Sequence, residues 1–142
     1  MSTVEALQQT LAAEHAVVHV YGTLGAATSL SATPELYERI SLAWAAHRDR
    51  RDALEVELRD LGEEPVGTRV AYDAPGPLGT PEQVSATAAL LEQRCATTYA
   101  ALVAATSGPR RRAAVELLTD AAVAVLGFGG AAEPLPGLDQ QA

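Results

Sequence analysis

The sequence predicts an all-α protein folded as a four-helix bundle. Of its 142 residues, 48% are hydrophobic but only 4% are aromatic, so the core must be built from small and aliphatic side chains, which favours closely packed helices over sheets. Four segments repeat apolar residues every three or four positions, which is the period of a helix with one buried face. Proline and glycine lie between these segments. The length suits a single domain.

The first predicted helix has a clear start. Ser2 can cap it, and Glu5, three positions later, completes a capping box. The spacing places Glu14 on the apolar face, and we expect the helix to fray within residues 22–33, where glycine and serine accumulate. The apolar face carries Val4, Leu7, Leu11, Val18, Tyr21 and Gly25.

The second predicted helix begins at Thr33, a capping residue followed by a proline, and ends at Gly62, a favoured stop. Either Arg50 or Arg51 can turn toward its buried face. His47 lies in the middle of this face and is therefore predicted inside the bundle. The face carries Leu36, Ile40, Ala43, His47, Leu54, Leu58 and Leu61.

A long connection follows, with the sequence EEPVGTRVAYDAPGPLG. These 17 residues include three prolines and show no helical period. Extended, they can reach about 55 Å, whereas a helix of 27 residues is about 40 Å long. The connection can therefore return the chain to the end of the bundle where the second helix began. A four-helix bundle with one long crossover between helices two and three is the ferritin-like arrangement.

The third predicted helix opens with the strongest local signal in the chain, because Thr80 can cap it and Pro81 occupies its first position. It ends near Gly108. A fourth helix runs from Pro109 to Gly127. We predict one bundle domain over residues 1–128 and an extended or mobile tail over residues 129–142.

Charge and cysteine content exclude several classes of protein. The net charge of −8 argues against nucleic-acid binding, which depends on neutralising phosphates. No apolar run approaches the roughly 18 residues of a membrane span, and the first residues do not resemble an export signal. The single cysteine, Cys95, excludes an internal disulfide and fits a reducing compartment. We therefore expect a cytoplasmic protein that contacts neither membrane nor nucleic acid.

Polar residues converge in the predicted interior. With the crossover topology and a rise of 1.5 Å per residue, Glu14, His47 and Glu92 lie about 15, 20 and 17 Å from one end of the bundle, and Asp120 lies about 24 Å from it. Carboxylates and an imidazole at a similar depth are the ligands of an iron or manganese site. The Glu-x-x-His pairs that complete a di-metal site occur nowhere in this sequence.

These residues allow three interpretations. Arginine is always charged and cannot bind a metal, so Arg50 or Arg51 turned inward would pair with Glu14 in a buried network with His47, and Tyr21 could join it. That network would be structural. Alternatively, Glu14, His47, Glu92 and Asp120 hold one or two metal ions. The third interpretation is a site for a small anion or another small ligand in the bundle core.

Four segments carry a family resemblance: EHAVVHVYG, HRDRRD, LEQRCATTYAALV and LTDAAV. In this order they resemble an actinobacterial ferritin-like family catalogued as a domain of unknown function, over most of residues 5–125. The resemblance implies a ferritin-like fold and a cytoplasmic location, and it brings no established activity, substrate or metal. The matching positions are Glu14, His15, Tyr21, Gly22, His47, Arg48, Arg50, Arg51, Asp52, Glu92 and Tyr99.

The sequence thus predicts a degenerate, metal-free ferritin-like bundle that acts through protein interaction. The alternatives are an iron- or manganese-binding protein or oxidase, and a bundle that binds a small ligand. We also expect a homodimer, because alanine strips on helices three and four permit close helix approach. These strips contain Ala89, Ala96, Ala100, Ala104, Ala114 and Ala122.

Overall fold

The computed structural model describes residues 1–138 and contains four helices. They are α1 (Thr3–Ala26), α2 (Pro34–Asp60), α3 (Pro81–Ala104) and α4 (Gly108–Gly127). No strand occurs in this described part of the chain, which confirms the predicted all-α fold. None of these helices is both long and apolar enough to cross a membrane.

The capping residues explain where two of the helices begin. At α1, the Ser2 hydroxyl accepts the Glu5 amide and the Glu5 carboxylate accepts the Ser2 amide, so the capping box is complete. At α3, the Thr80 hydroxyl accepts the amide of Gln83. The α2 start differs from expectation, because the Thr33 hydroxyl donates to the Ser29 carbonyl and does not cap the helix.

Contacts between the helices establish the topology. Thr3, at the start of α1, donates to the carbonyl of Ala105, just past the end of α3, so α1 and α3 are antiparallel. Glu14 meets His47 on α2, whereas Gly25, one residue before the end of α1, faces Ile40 near the start of α2. Helices α1 and α2 are therefore antiparallel as well. It follows that α2 and α3 run the same way and that residues 61–80 cross the length of the bundle.

The crossover lies against α1. The Gln8 side chain accepts the amide of Val66 at 2.8 Å, and Nε2 of His15 lies 3.0 Å from the Val66 carbonyl. Farther along, the ring of His19 is 5.5 Å from that of Tyr72. The polar face of α1 thus fixes the path of a segment that has no secondary structure of its own.

Two apolar clusters fill the interior, and a polar layer separates them. One cluster surrounds Tyr21, Leu24 and Ile40, and the other surrounds Leu11, Leu54 and Leu58. On α1 and α2 the polar residues Glu14 and His47 fall between these two sets, whereas Glu92 of α3 lies among residues of the first cluster. This layer contains the candidate site.

Helices α2 and α4 are joined differently from the other neighbours. Close backbone contacts join α1 with α2, α1 with α3 and α3 with α4, but hardly any join α2 with α4. Long arginine side chains span this gap, which we name the α2–α4 seam. Arg39 donates to the Gly127 carbonyl, Arg50 pairs with Asp120, and Arg110 pairs with Glu57.

The chain's own C-terminal segment covers part of the strip that was predicted to form a dimer. Ala89 and Ala96 are buried. A Cβ atom on Gly130 would lie 3.4 Å from that of Ala89, and one on Gly137 would collide with the backbone of Ala96. Residues 129–138 therefore lie against α3, and residues 139–142 of the predicted tail fall outside the described chain. Ala89 and Ala96 of the predicted strip are therefore covered by the chain itself, and the homodimer stays a prediction.

Candidate polar centre

His47 lies at the centre of the bundle, with 1% of its surface exposed. Its Nδ1 atom is 2.7 Å from Oε2 of Glu14 on α1, and its Nε2 atom is 2.9 Å from Oε1 of Glu92 on α3. Both carboxylates are buried to the same extent. One side chain of α2 thus connects two other helices.

Helical periodicity positions His47. Ile40 and Leu54, seven residues before and after it, are buried on the same helix, and seven residues are close to two helical turns. A polar side chain therefore takes the place of an apolar one in an otherwise regular buried face. Glu14 likewise lies on the buried face of α1, because Leu11 and Val17, three residues before and after it, are both buried.

Two tyrosines complete the hydrogen bonding of the carboxylates. The Tyr21 hydroxyl donates to Oε1 of Glu92 at 2.5 Å, and the Tyr99 hydroxyl donates to Oε1 of Glu14. The Tyr21 ring also stacks on His47, with ring centroids 5.4 Å apart. Glu14 accepts on both oxygens, but the buried Oε2 of Glu92 has no hydrogen-bond partner within the described residues.

The two carboxylates determine the protonation of His47. Burial lowers the pKa of His47, but hydrogen bonds from its ring to Glu14 and Glu92, with their negative charges, outweigh burial and raise that pKa to about 9. At neutral pH the ring is therefore a cation that donates to both sides. Burial also raises the pKa values of Tyr21 and Tyr99, so both hydroxyls keep their protons.

Arg50 lies between the polar centre and solvent. Its Nη1 atom donates to the Tyr99 hydroxyl at 3.5 Å, and its guanidinium carbon is 5.9 Å from the centroid of the Tyr99 ring. Its Nη2 atom donates to Asp120 at 3.2 Å. The Arg50 side chain is 17% exposed and that of Asp120 is 63% exposed, so this pair closes the layer on the side of the α2–α4 seam.

The charges of the buried layer cancel. Glu14 and Glu92 contribute two negative charges, and the cations of His47 and Arg50 contribute two positive ones. Charges taken out of water are tolerated when they are paired and hydrogen-bonded. The layer as a whole meets this condition, with Oε2 of Glu92 as the exception.

Comparison with known proteins identifies the family. A family model described as a domain of unknown function (DUF4439) matches residues 6–140. The chain belongs to this family. It is also similar to the crystal structure of a conserved hypothetical protein, rv2844, from Mycobacterium tuberculosis, with a TM-score of 0.80 and 27% identity over 89% of this chain and 87% of that one. No curated protein matches the chain. The resemblance carried by the four sequence segments is thus confirmed.

Within this family member, two predicted site residues lie away from the centre, which corrects the sequence-based placement. Asp120 precedes the fully buried Ala121 by one residue, or about 100° around the helix, so it reaches the seam and solvent. Arg51 pairs with the neighbouring Asp52 at 2.7 Å. Of the two candidate arginines, Arg50 is therefore the one that contacts the polar layer.

Two residues near the centre were absent from the predicted site. Tyr99 binds Glu14, and a ligand atom of Cys95 lies within 4.8 Å of those of His47 and Glu92. Cys95 lies three residues after Glu92 and Tyr99 lies seven residues after it, on the same face of α3. This helical spacing is the signal that could have identified them. Burial raises the pKa of the Cys95 thiol.

Proposed function

We propose that the protein is a ferritin-like bundle that acts through protein contacts and whose polar centre holds the helices in register. One observation carries this proposal: His47 uses both ring nitrogens to join α1 with α3. A side chain engaged in this way fixes three helices relative to one another. A single buried Cys95 supports a reducing, cytoplasmic setting.

The residues present do not fit a pair of iron or manganese ions. Such a site takes carboxylates and imidazoles from all four helices, but α4 contributes only Asp120, which is exposed. The carboxylates of Glu14 and Glu92 contact the imidazole that lies between them. A small organic anion also has little support, because two carboxylates already occupy the centre and Arg50 is paired.

Metal analysis after expression in medium rich in iron and manganese tests the absence of a di-metal site. We expect far less than one iron or manganese ion per chain, and no oxygen consumption when ferrous iron is added. Two ions per chain in the original protein, lost in both Glu14→Gln and His47→Gln, would overturn this part of the proposal.

The second half of α4 supports a second copy of the chain as the contacting protein. Val123 is 61% exposed and Leu126 is 51% exposed, and no charged residue lies between Asp120 and Glu133. Two chains with a net charge of −8 repel each other. An uncharged apolar face is where that repulsion is weakest and where apolar burial is available.

Sedimentation velocity tests this contact. We expect a dimer that becomes a monomer in the double variant Val123→Glu, Leu126→Glu, because each dimer would then bury four carboxylates. The matched control is Val56→Glu on α2, which is 56% exposed and should leave the dimer intact. A monomer at every concentration, or a dimer that the double variant does not disturb, contradicts the assignment.

A further inference from the structure

The unpartnered oxygen of Glu92 is the starting point. The side chain of Glu92 is 2% exposed, and its Oε2 atom accepts no hydrogen bond from the described residues. A buried carboxylate oxygen without a partner is unfavourable, because it loses its contact with water and gains no hydrogen bond in return. A native structure that keeps such a group requires an explanation, and a bound ion is one.

Suitable donors surround this carboxylate. One ligand atom each from His47, Glu92 and Cys95 lie within 4.8 Å of one another, and all three residues are buried. Glu92 and Cys95 are three residues apart, so α3 presents both on one face. The spacing Glu-x-x-Cys thus stands where a di-metal bundle has Glu-x-x-His.

We propose that His47, Glu92 and Cys95 bind a single zinc ion in the polar centre. Imidazole, carboxylate and thiolate are the three protein ligands that zinc accepts. A thiolate makes the set softer than the oxygen-rich sites that suit manganese. Zinc sites with three protein ligands take a water molecule as the fourth, so a ligand from α4 is not required.

The residues behind these ligands already form the supporting contacts that zinc sites use. A metal-binding histidine usually donates its second ring N–H to a carboxylate, which orients the ring. Glu14 accepts from Nδ1 of His47, which leaves Nε2 directed at Glu92, and the Tyr99 hydroxyl holds Glu14 in place.

The charges balance in both states of the site. Without the ion, His47 is a cation and Cys95 is a neutral thiol. The ion takes the place of the proton on Nε2 of His47 and of the thiol proton, so one Zn²⁺ enters and two protons leave to solvent. The charge of the layer is unchanged by this exchange, and Arg50 continues to offset the remaining negative charge. The exchange involves no oxidation or reduction.

The experiment adds zinc, and cobalt as its spectroscopic substitute, to chelator-treated protein that is also refolded in the presence of each ion. We expect one ion per chain, two protons released per ion in lightly buffered solution, and a thiolate-to-cobalt charge-transfer band. Cys95→Ala should abolish the band and weaken zinc binding by more than the roughly 10–100-fold that loss of a residue behind the ligands causes, and Glu92→Gln should weaken it as well. Asp120→Asn is the matched control and should bind like the original protein.

Failure to bind after refolding overturns the proposal. So does a cobalt complex without the charge-transfer band, or zinc binding that Cys95→Ala leaves unchanged. Each variant's helix content by circular dichroism separates lost ligation from lost folding, and Cys95→Ala removes only a small side chain. The proposed contact between copies rests on α4, so its sedimentation result is independent of whether zinc binds.

Discussion

At the scale of single residues, the polar centre depends on mutual compensation. A buried imidazolium is tolerated because Glu14 and Glu92 contact its two nitrogens, and each carboxylate is held by a tyrosine hydroxyl. Removing one partner leaves the remaining charges unbalanced among side chains that are almost fully buried. Removing a charge at the surface has no such effect.

This contrast gives a prediction for two acidic residues. Glu14→Gln should lower the free energy of unfolding by about 3–5 kcal/mol, because it leaves a buried cation short of a counter-charge. Asp120→Asn should lower it by less than about 1 kcal/mol, since that carboxylate is 63% exposed and screened. Urea denaturation of the metal-free proteins measures both values. Equal losses would mean that the centre is no more sensitive than the surface.

Residue placement could be predicted from the sequence as far as helical rise and rotation determine it. The rise per residue brings Glu14, His47 and Glu92 to a similar depth, and the structure puts them within hydrogen-bond distance. The predicted position of Asp120 in the core was wrong, because one residue corresponds to about 100° around a helix. The alanine-rich α4 has few large side chains that would define its buried face. Helical spacing places Tyr21 on the face of Glu14 and Tyr99 on the face of Glu92, but each hydroxyl donates to the carboxylate of the other helix. The spacing within one helix does not predict that pairing.

At the scale of secondary-structure elements, α4 is held differently from the rest. Its buried residues are three small or medium side chains, Ala114, Ala121 and Val125. It packs closely on α3, whereas its link to α2 consists of the arginine side chains of the seam. Exposed ion pairs contribute little stability. The element therefore has less apolar burial to lose on local opening than α1 or α3.

Hydrogen exchange should reveal this difference. We expect the amides of α4 to exchange before those of α1 and α3 under native conditions, because local opening begins where packing is weakest. High salt should accelerate exchange in α4 further by screening the Arg50–Asp120 and Arg110–Glu57 pairs. The α1 amides serve as the internal control. Simultaneous exchange of all four helices would show that the seam is no weaker than the packed interfaces.

At the scale of the whole molecule, the chain covers its own surface with its two longest irregular segments. The crossover lies on α1 through Gln8 and His15, and the segment after α4 lies on α3 at Gly130 and Gly137. The length of the crossover was enough to predict that this segment returns along the bundle. The docking of the last segment could not be predicted, because it has no hydrophobic period and depends on the fit of Gly130 against Ala89 and of Gly137 against Ala96.

Gly137 allows that docking to be tested against a matched glycine. Gly137 and Gly62 have nearly the same positive φ, 79° and 78°, so alanine at either position carries a similar backbone strain of about 1–2 kcal/mol. An added Cβ meets nothing at Gly62, but at Gly137 it collides with the backbone of Ala96. Gly137→Ala should therefore release residues 129–138 from α3, whereas Gly62→Ala should not.

Limited proteolysis measures the release. We expect cleavage after residue 128 to be at least about tenfold faster in Gly137→Ala than in Gly62→Ala. Both substitutions strain the backbone, but only the one at Gly137 also makes a Cβ atom collide with α3. Release would also uncover Ala89 and Ala96, the strip that could pair with another helix. A second copy could then bind there, so Gly137→Ala should show higher oligomers in sedimentation that the double variant of α4 does not remove. Unchanged proteolysis would mean that the segment is not held by its fit against Ala96.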